Sequence, residues 1–202
     1  ESAKADFDKA ISMDPKNYDR LIEIYEALAD YGYREVGQEY LQNVLNTDKK
    51  LDAYDSGRIY YYLGDYQKAY LALEEAKGKG GVDSYLYLGK AYAATGDYNY
   101  ASSVYSNYLS KQGPDAEIYN QLGLCELAKK DYQKALEAFQ AGKQIEGNSL
   151  MQTLSFNEIV AYEYLQDYQK AAVLLKAYLQ NYPDDQAAIR EQQFLSKIGR
   201  AH

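Results

Sequence analysis

The sequence holds one histidine, His202, and one cysteine, Cys125. Acid–base or nucleophilic catalysis needs a base beside a nucleophile, and a metal centre needs several convergent His, Cys, Asp or Glu ligands. Neither pattern is present. No histidine is placed to activate Cys125, and a small thiol two residues after Gly123 suits close helix packing. The run Gly78-Lys79-Gly80-Gly81 lacks the Lys-Ser/Thr ending of a phosphate loop and reads as a flexible link. No catalytic residue, cofactor or metal site is expected, and the chain is not expected to be an enzyme.

Two acids interrupt otherwise apolar stripes. Glu126 stands where related segments carry Tyr60, Tyr92 and Tyr162, and Glu158 stands where they carry Leu88 and Leu122. A buried carboxylate needs a partner. The expectation is a hydrogen bond to one of the 25 tyrosine hydroxyls, or simply local exposure; the alternative is a carboxylate pair of raised pKa or a polar ligand contact between adjacent segments.

Bulk composition fixes the class of element that must carry these groups. A hydrophobic content of 47% and only 3 prolines support a continuous core built from helices. The 22 basic and 30 acidic residues leave a net charge of −8, which repels a phosphate backbone, so nucleic acid is not an expected partner. Apolar runs are a few residues long, far short of the ~20 that cross a bilayer, and no membrane-spanning segment is expected. One thiol fits reducing and oxidising compartments alike. The sequence begins Glu1-Ser2-Ala3 without Met, so a signal or lipid-attachment segment would lie upstream, and localisation stays open between cytoplasmic and extracytoplasmic.

A short turn followed by an aromatic recurs as Gly64-Asp65-Tyr66, Gly96-Asp97-Tyr98, Lys130-Asp131-Tyr132 and Gln166-Asp167-Tyr168, its tyrosines 32, 34 and 36 residues apart. At a fixed offset come Ala69, Ala101, Ala135 and Ala171, and four residues later Leu73, Tyr105, Phe139 and Leu175. Upstream of one turn lies the helical stripe Tyr85, Leu88, Gly89, Tyr92; downstream lies Ala101, Tyr105, Tyr108. Each unit is two antiparallel helices joined by a tight turn, stacked on its neighbours.

These residues are similar to the tetratricopeptide repeat, whose pattern is Trp-x2-Leu-Gly-x2-Tyr, then Ala-x3-Phe, then Pro, over about 34 residues. Tyr85-x2-Leu88-Gly89-x2-Tyr92 fits with Tyr for Trp, and Tyr119-x2-Leu122-Gly123 is followed by Ala135-x3-Phe139. The resemblance implies an all-α, right-handed superhelical solenoid of antiparallel helix pairs. Residues 1–17 are expected to form the second helix of a truncated repeat, around Ala3, Phe7, Ala10 and Ile11. Five repeats are expected at 18–49, 50–81, 82–115, 116–151 and 152–185, and a capping helix at 186–202 with Ile189, Phe194, Leu195 and Ile198, all in one continuous domain.

In this family the first helices line a concave groove. The resemblance places there Ile22, Glu26 and Ala29; Tyr54, Arg58 and Tyr61; Leu86, Lys90 and Ala93; Asn120, Leu124 and Leu127; and Phe156, Val160 and Glu163, flanked by Tyr62, Tyr87, Gln121, Asn157 and Tyr164. An exposed stripe that is largely aromatic, aliphatic and amide marks an interaction site. Aromatic anchors would supply buried area, the amides would pair with a peptide backbone, and Arg58 and Lys90 would meet acidic groups. Members that clamp a C-terminal carboxylate use Lys, Asn and Arg where this chain has Ile22, Glu26, Asp55, Asp83 and Tyr87, so that activity is not implied. The expected function is a non-enzymatic scaffold binding a protein or peptide in this groove; the alternative is a small-ligand or glycan receptor using the same tyrosine-rich groove. An unpartnered N-terminal half-repeat would also allow a homo-oligomer.

Overall fold

The computed structural model of the chain describes residues 2–76, 79 and 81–198. Gly78 and Gly80 of the glycine-rich link and His202 lie outside the described residues, as do the side chains of Ala3 and Ile198. The described residues form twelve helices and no strand, and they divide into two compact units, 1–91 and 92–202.

The first unit contains α1 (Ser2–Met13), α2 (Tyr18–Asp30), α3 (Arg34–Thr47), α4 (Ala53–Tyr62), α5 (Tyr66–Ala76) and most of α6 (Gly81–Ala94). The second contains the end of α6, α7 (Tyr98–Gln112), α8 (Ala116–Ala128), α9 (Tyr132–Lys143), α10 (Met151–Tyr164), α11 (Tyr168–Asn181) and α12 (Gln186–Ile198). Within each unit, helices adjacent in sequence pack on one another, α2 with α3 and α4 with α5, then α8 with α9 and α10 with α11.

The recurrent turn has one physical explanation in every copy. At the end of α6 the Asp97 N–H donates to the Tyr92 carbonyl and the Gly96 N–H to the Ala93 carbonyl, both over 3.0 Å. This pair of bonds satisfies the last carbonyls of the helix and requires a left-handed residue, here Gly96 at φ 85°. Asp97 then caps the next helix, its carboxylate accepting from the Tyr100 N–H over 3.0 Å. Gly32 and Gly64 hold the same conformation, whereas Lys130 and Gln166 adopt it at φ 65° and 63° without being glycine. The aspartate is therefore retained where the glycine is not, because only the cap depends on a side chain.

Small residues set how closely the helices cross. A Cβ at Gly123 would lie 2.3 Å from Phe139 Cε1, and one at Gly57 would lie 2.5 Å from Leu73 Cγ. The first unit is centred on Leu21, Tyr25, Leu41 and Ile59, with Ile11 of α1 packed against them. The second has one cluster around Phe139 and Leu154 and another around Ile159, Leu175 and Tyr178 that takes in Ala188 and Leu195 of α12. Each fully buried Leu among them contributes about 1.5–3 kcal/mol. Phe194 of the cap is half exposed, and α12 packs through Ala188 and Leu195.

Candidate functional site

Arg58 was expected as an open cation on the first-helix face, and the structure corrects this. Its side chain is 7% exposed, its Nη1 and Nη2 donate to Asp19 and Asp55 over 2.5 Å each, and its guanidinium lies 4.4 Å from the Tyr54 ring centroid. Leu86 is likewise buried. Neither side chain is therefore open to solvent.

The half-buried residues of the first unit's stripe form an aromatic cluster. Tyr61 meets Tyr62 and Tyr87 edge to face, with centroids 5.4 and 5.6 Å away, and lies 5.7 Å from Tyr66. Tyr62 meets Tyr25 at 5.2 Å. The Tyr62 hydroxyl lies 2.5 Å from Glu26 Oε1, to which it donates, and 3.0 Å from the Tyr87 hydroxyl. Burial, then the hydrogen bond to Glu26, push the Tyr62 hydroxyl far above its ordinary range, so it stays neutral. Lys90 Nζ is 5.9 Å from the Tyr87 centroid.

Beside this cluster a cavity of about 500 Å³ opens over Tyr25, Tyr61, Tyr62 and Tyr66. Its charged wall is Glu26, Asp30 and Arg34, and Arg34 Nη1 donates to the Tyr25 hydroxyl over 3.3 Å. For the groove the sequence marks Glu26, Tyr61 and Tyr62, but not Tyr25 or Tyr66, and neither Asp30 nor Arg34. Both flank the α2–α3 turn, where polar residues read as ordinary solvated loop.

In the second unit the predicted residues divide in the same manner. Asn120 is 5% exposed and accepts through Oδ1 from Asn157 Nδ2 over 2.9 Å, so this amide pair is committed to the protein. Gln121 donates to Glu117 over 2.9 Å. Phe156 packs on Tyr178, centroids 5.6 Å apart, while Val160 is half-buried. Leu124 is 40% exposed and Tyr164 53% exposed, the latter stacked on Tyr132 at 4.9 Å.

The buried acids find lysines, not the expected tyrosine hydroxyls. Glu126 accepts from Lys129 over 2.8 Å, one helical turn away, and Glu158 accepts from Lys143 over 2.5 Å and from Gln140 over 2.8 Å. Cys125 is buried, and that burial pushes its thiol up to about 12, leaving it unreactive at neutral pH. Glu163 has a buried Oε1 without a partner; burial, then the charge of Glu191 on α12, push it up to about 7. Among the described residues no three His, Cys, Asp or Glu side chains converge as metal ligands, and no helix is long and apolar enough to cross a membrane.

Comparison with known proteins follows the helix pairs. The tetratricopeptide-repeat family model matches residues 86–149, and a second tetratricopeptide-repeat model matches 156–185. No curated protein matches the chain. Among solved structures the chain is similar to YrrB, a tetratricopeptide-repeat protein with an unusual peptide-binding site, at 21% identity and a TM-score of 0.60, over 93% of this chain and 97% of that one. It is also similar to TTC0263, a thermophilic tetratricopeptide-repeat protein of Thermus thermophilus, at 15% identity and TM-score 0.67, over 88% and 98%. MamA AMB-1 matches at 24% identity and TM-score 0.59, over 73% and 81%. Residues 86–149 and 156–185 of the chain are thus tetratricopeptide repeats.

Proposed function

We propose that the chain is a non-enzymatic scaffold that holds a peptide or protein partner on the aromatic and aliphatic faces of its first helices. The observation that carries this is the half-buried cluster of Tyr61, Tyr62 and Tyr87, three rings packed edge to face within 5.4–5.9 Å of one another. Preassembled tyrosines offer a large contact area at low entropy cost on binding. The fold likeness to YrrB, with its peptide-binding site, supports the same use here. Of the residues read from sequence, Tyr61, Tyr62, Tyr87, Lys90, Leu124 and Tyr164 remain candidates for contact, whereas Arg58, Leu86 and Asn120 are buried.

The test is a peptide-display selection against the full chain, followed by affinity measurement with Tyr61→Ala and Leu124→Ala. Loss of affinity in either variant supports the reading. Peptides that bind both variants as tightly as the parent protein would sink it. A second reading, as a receptor for a glycan or small polar ligand, is supported by a separate cavity of about 840 Å³ where Gln38, Gln42, Asn43, Asn46 and Tyr60 stand among the charged Glu35, Glu39, Asp65 and Lys68. A glycan array without hits removes it.

A further inference from the structure

Three tyrosines of the first unit carry the chain's own cations: Arg58 lies over Tyr54, Lys68 over Tyr60 at 5.4 Å, and Lys90 over Tyr87. Among the described residues no side-chain cation lies over Tyr61, Tyr62 or Tyr66, although these rings form the wall of a cavity large enough for a long side chain. Tyrosine faces attract cations through their negative ring faces, and the attraction grows as water is excluded.

The charges at the mouth have the matching sign. Glu26 and Asp30 form no ion pair among the described residues, and the one hydrogen bond Glu26 accepts, from Tyr62, fixes its carboxylate against the aromatic wall. Arg34 is the single opposing charge, and it is drawn to one side by the Tyr25 hydroxyl. We infer that this cavity is the recognition pocket for a basic side chain, a Lys or Arg of an extended peptide partner, held by Glu26 and Asp30 against the rings of Tyr61, Tyr62 and Tyr66. The assignment rests on the scaffold reading and gives its partner a chemistry. That chemistry is opposite to the acidic one that an exposed Arg58 would have required.

The selection already described supplies the ligands, and its products separate the two claims. Enriched peptides are titrated against the full chain, the Glu26→Gln/Asp30→Asn double variant and Arg34→Gln. Gln at 26 still accepts the Tyr62 hydrogen bond, and all three positions are exposed, so the variants keep the fold, which circular dichroism verifies. The peptides are expected to carry a Lys or Arg whose replacement by Ala abolishes binding. Affinity should fall about tenfold in the double variant, rise in Arg34→Gln, and weaken as salt is raised. Enriched peptides without a basic residue, or basic peptides that bind the double variant as tightly as the parent, overturn the pocket and leave the scaffold standing. A selection that enriches nothing overturns both.

Discussion

Asn157 of α10 donates to Asn120 of α8 over 2.9 Å, joining the first helices of two helix pairs through an amide that is 5% exposed. Amides on this face looked available to a ligand, but this pair is already satisfied by itself. Asn157→Ala should leave the Asn120 carbonyl buried without a donor and cost about 1–2 kcal/mol. Urea denaturation checks this, and a change within error would mean that water reaches Asn120.

The crossing of α8 and α9 depends on the absence of a single atom. A Cβ at Gly123 would lie 2.3 Å from the Phe139 ring, which is fully buried and has no room to withdraw. Gly123→Ala should therefore destabilise the second unit by about 1–3 kcal/mol despite alanine's better helix propensity. Thermal unfolding of the variant gives the sign directly.

Lys130 and Gln166 occupy left-handed backbone positions that Gly64 and Gly96 hold in other copies of the turn. Lys130→Gly relieves about 1–2 kcal/mol of local strain and gives back part of it through a more flexible unfolded chain, for a net gain of ~0.5–1 kcal/mol. A raised midpoint in urea is the expected result. The same exchange at Gln166 should behave alike.

Glu163 titrates near 4.5 when unfolded and is pushed up to about 7 in the folded chain by burial and by Glu191. Above that value it is ionised in both states, and the folded state bears the cost. As pH falls from about 8 to about 5 the folded form takes the proton first, so stability rises. The gain is about 1 kcal/mol, because a half-buried carboxylate is substantially screened by water and salt. Glu163→Gln should raise stability at the upper end of this window and flatten the slope, as read from urea midpoints across the range.

The helix pairs and their turns were legible because the turn is encoded twice, by a left-handed residue and by the capping aspartate that follows it. Ala101, Ala135 and Gly123 announced close crossings by size alone. The surface was less legible. Helical spacing places Arg58, Leu86 and Asn120 on one face with Tyr61 and Leu124 but does not say how far neighbouring helices close over that face. Arg58 was hidden by partners distant in sequence or on its own helix, Asp19 and Asp55. Asp30 and Arg34 carried no pattern, since their relation to Tyr61 and Tyr66 exists only once α2, α3, α4 and α5 have packed.

The most direct test of the central claim, that a peptide partner docks on the Tyr61–Tyr62 face, is NMR of the full chain with labelled tyrosine rings, titrated with a display-selected peptide. The Tyr61 and Tyr62 ring signals, assigned through single Tyr→Phe variants, should move with peptide concentration to saturation, while Tyr105, which is fully buried, stays fixed. Saturating peptide that leaves both the Tyr61 and Tyr62 rings unmoved would contradict the account.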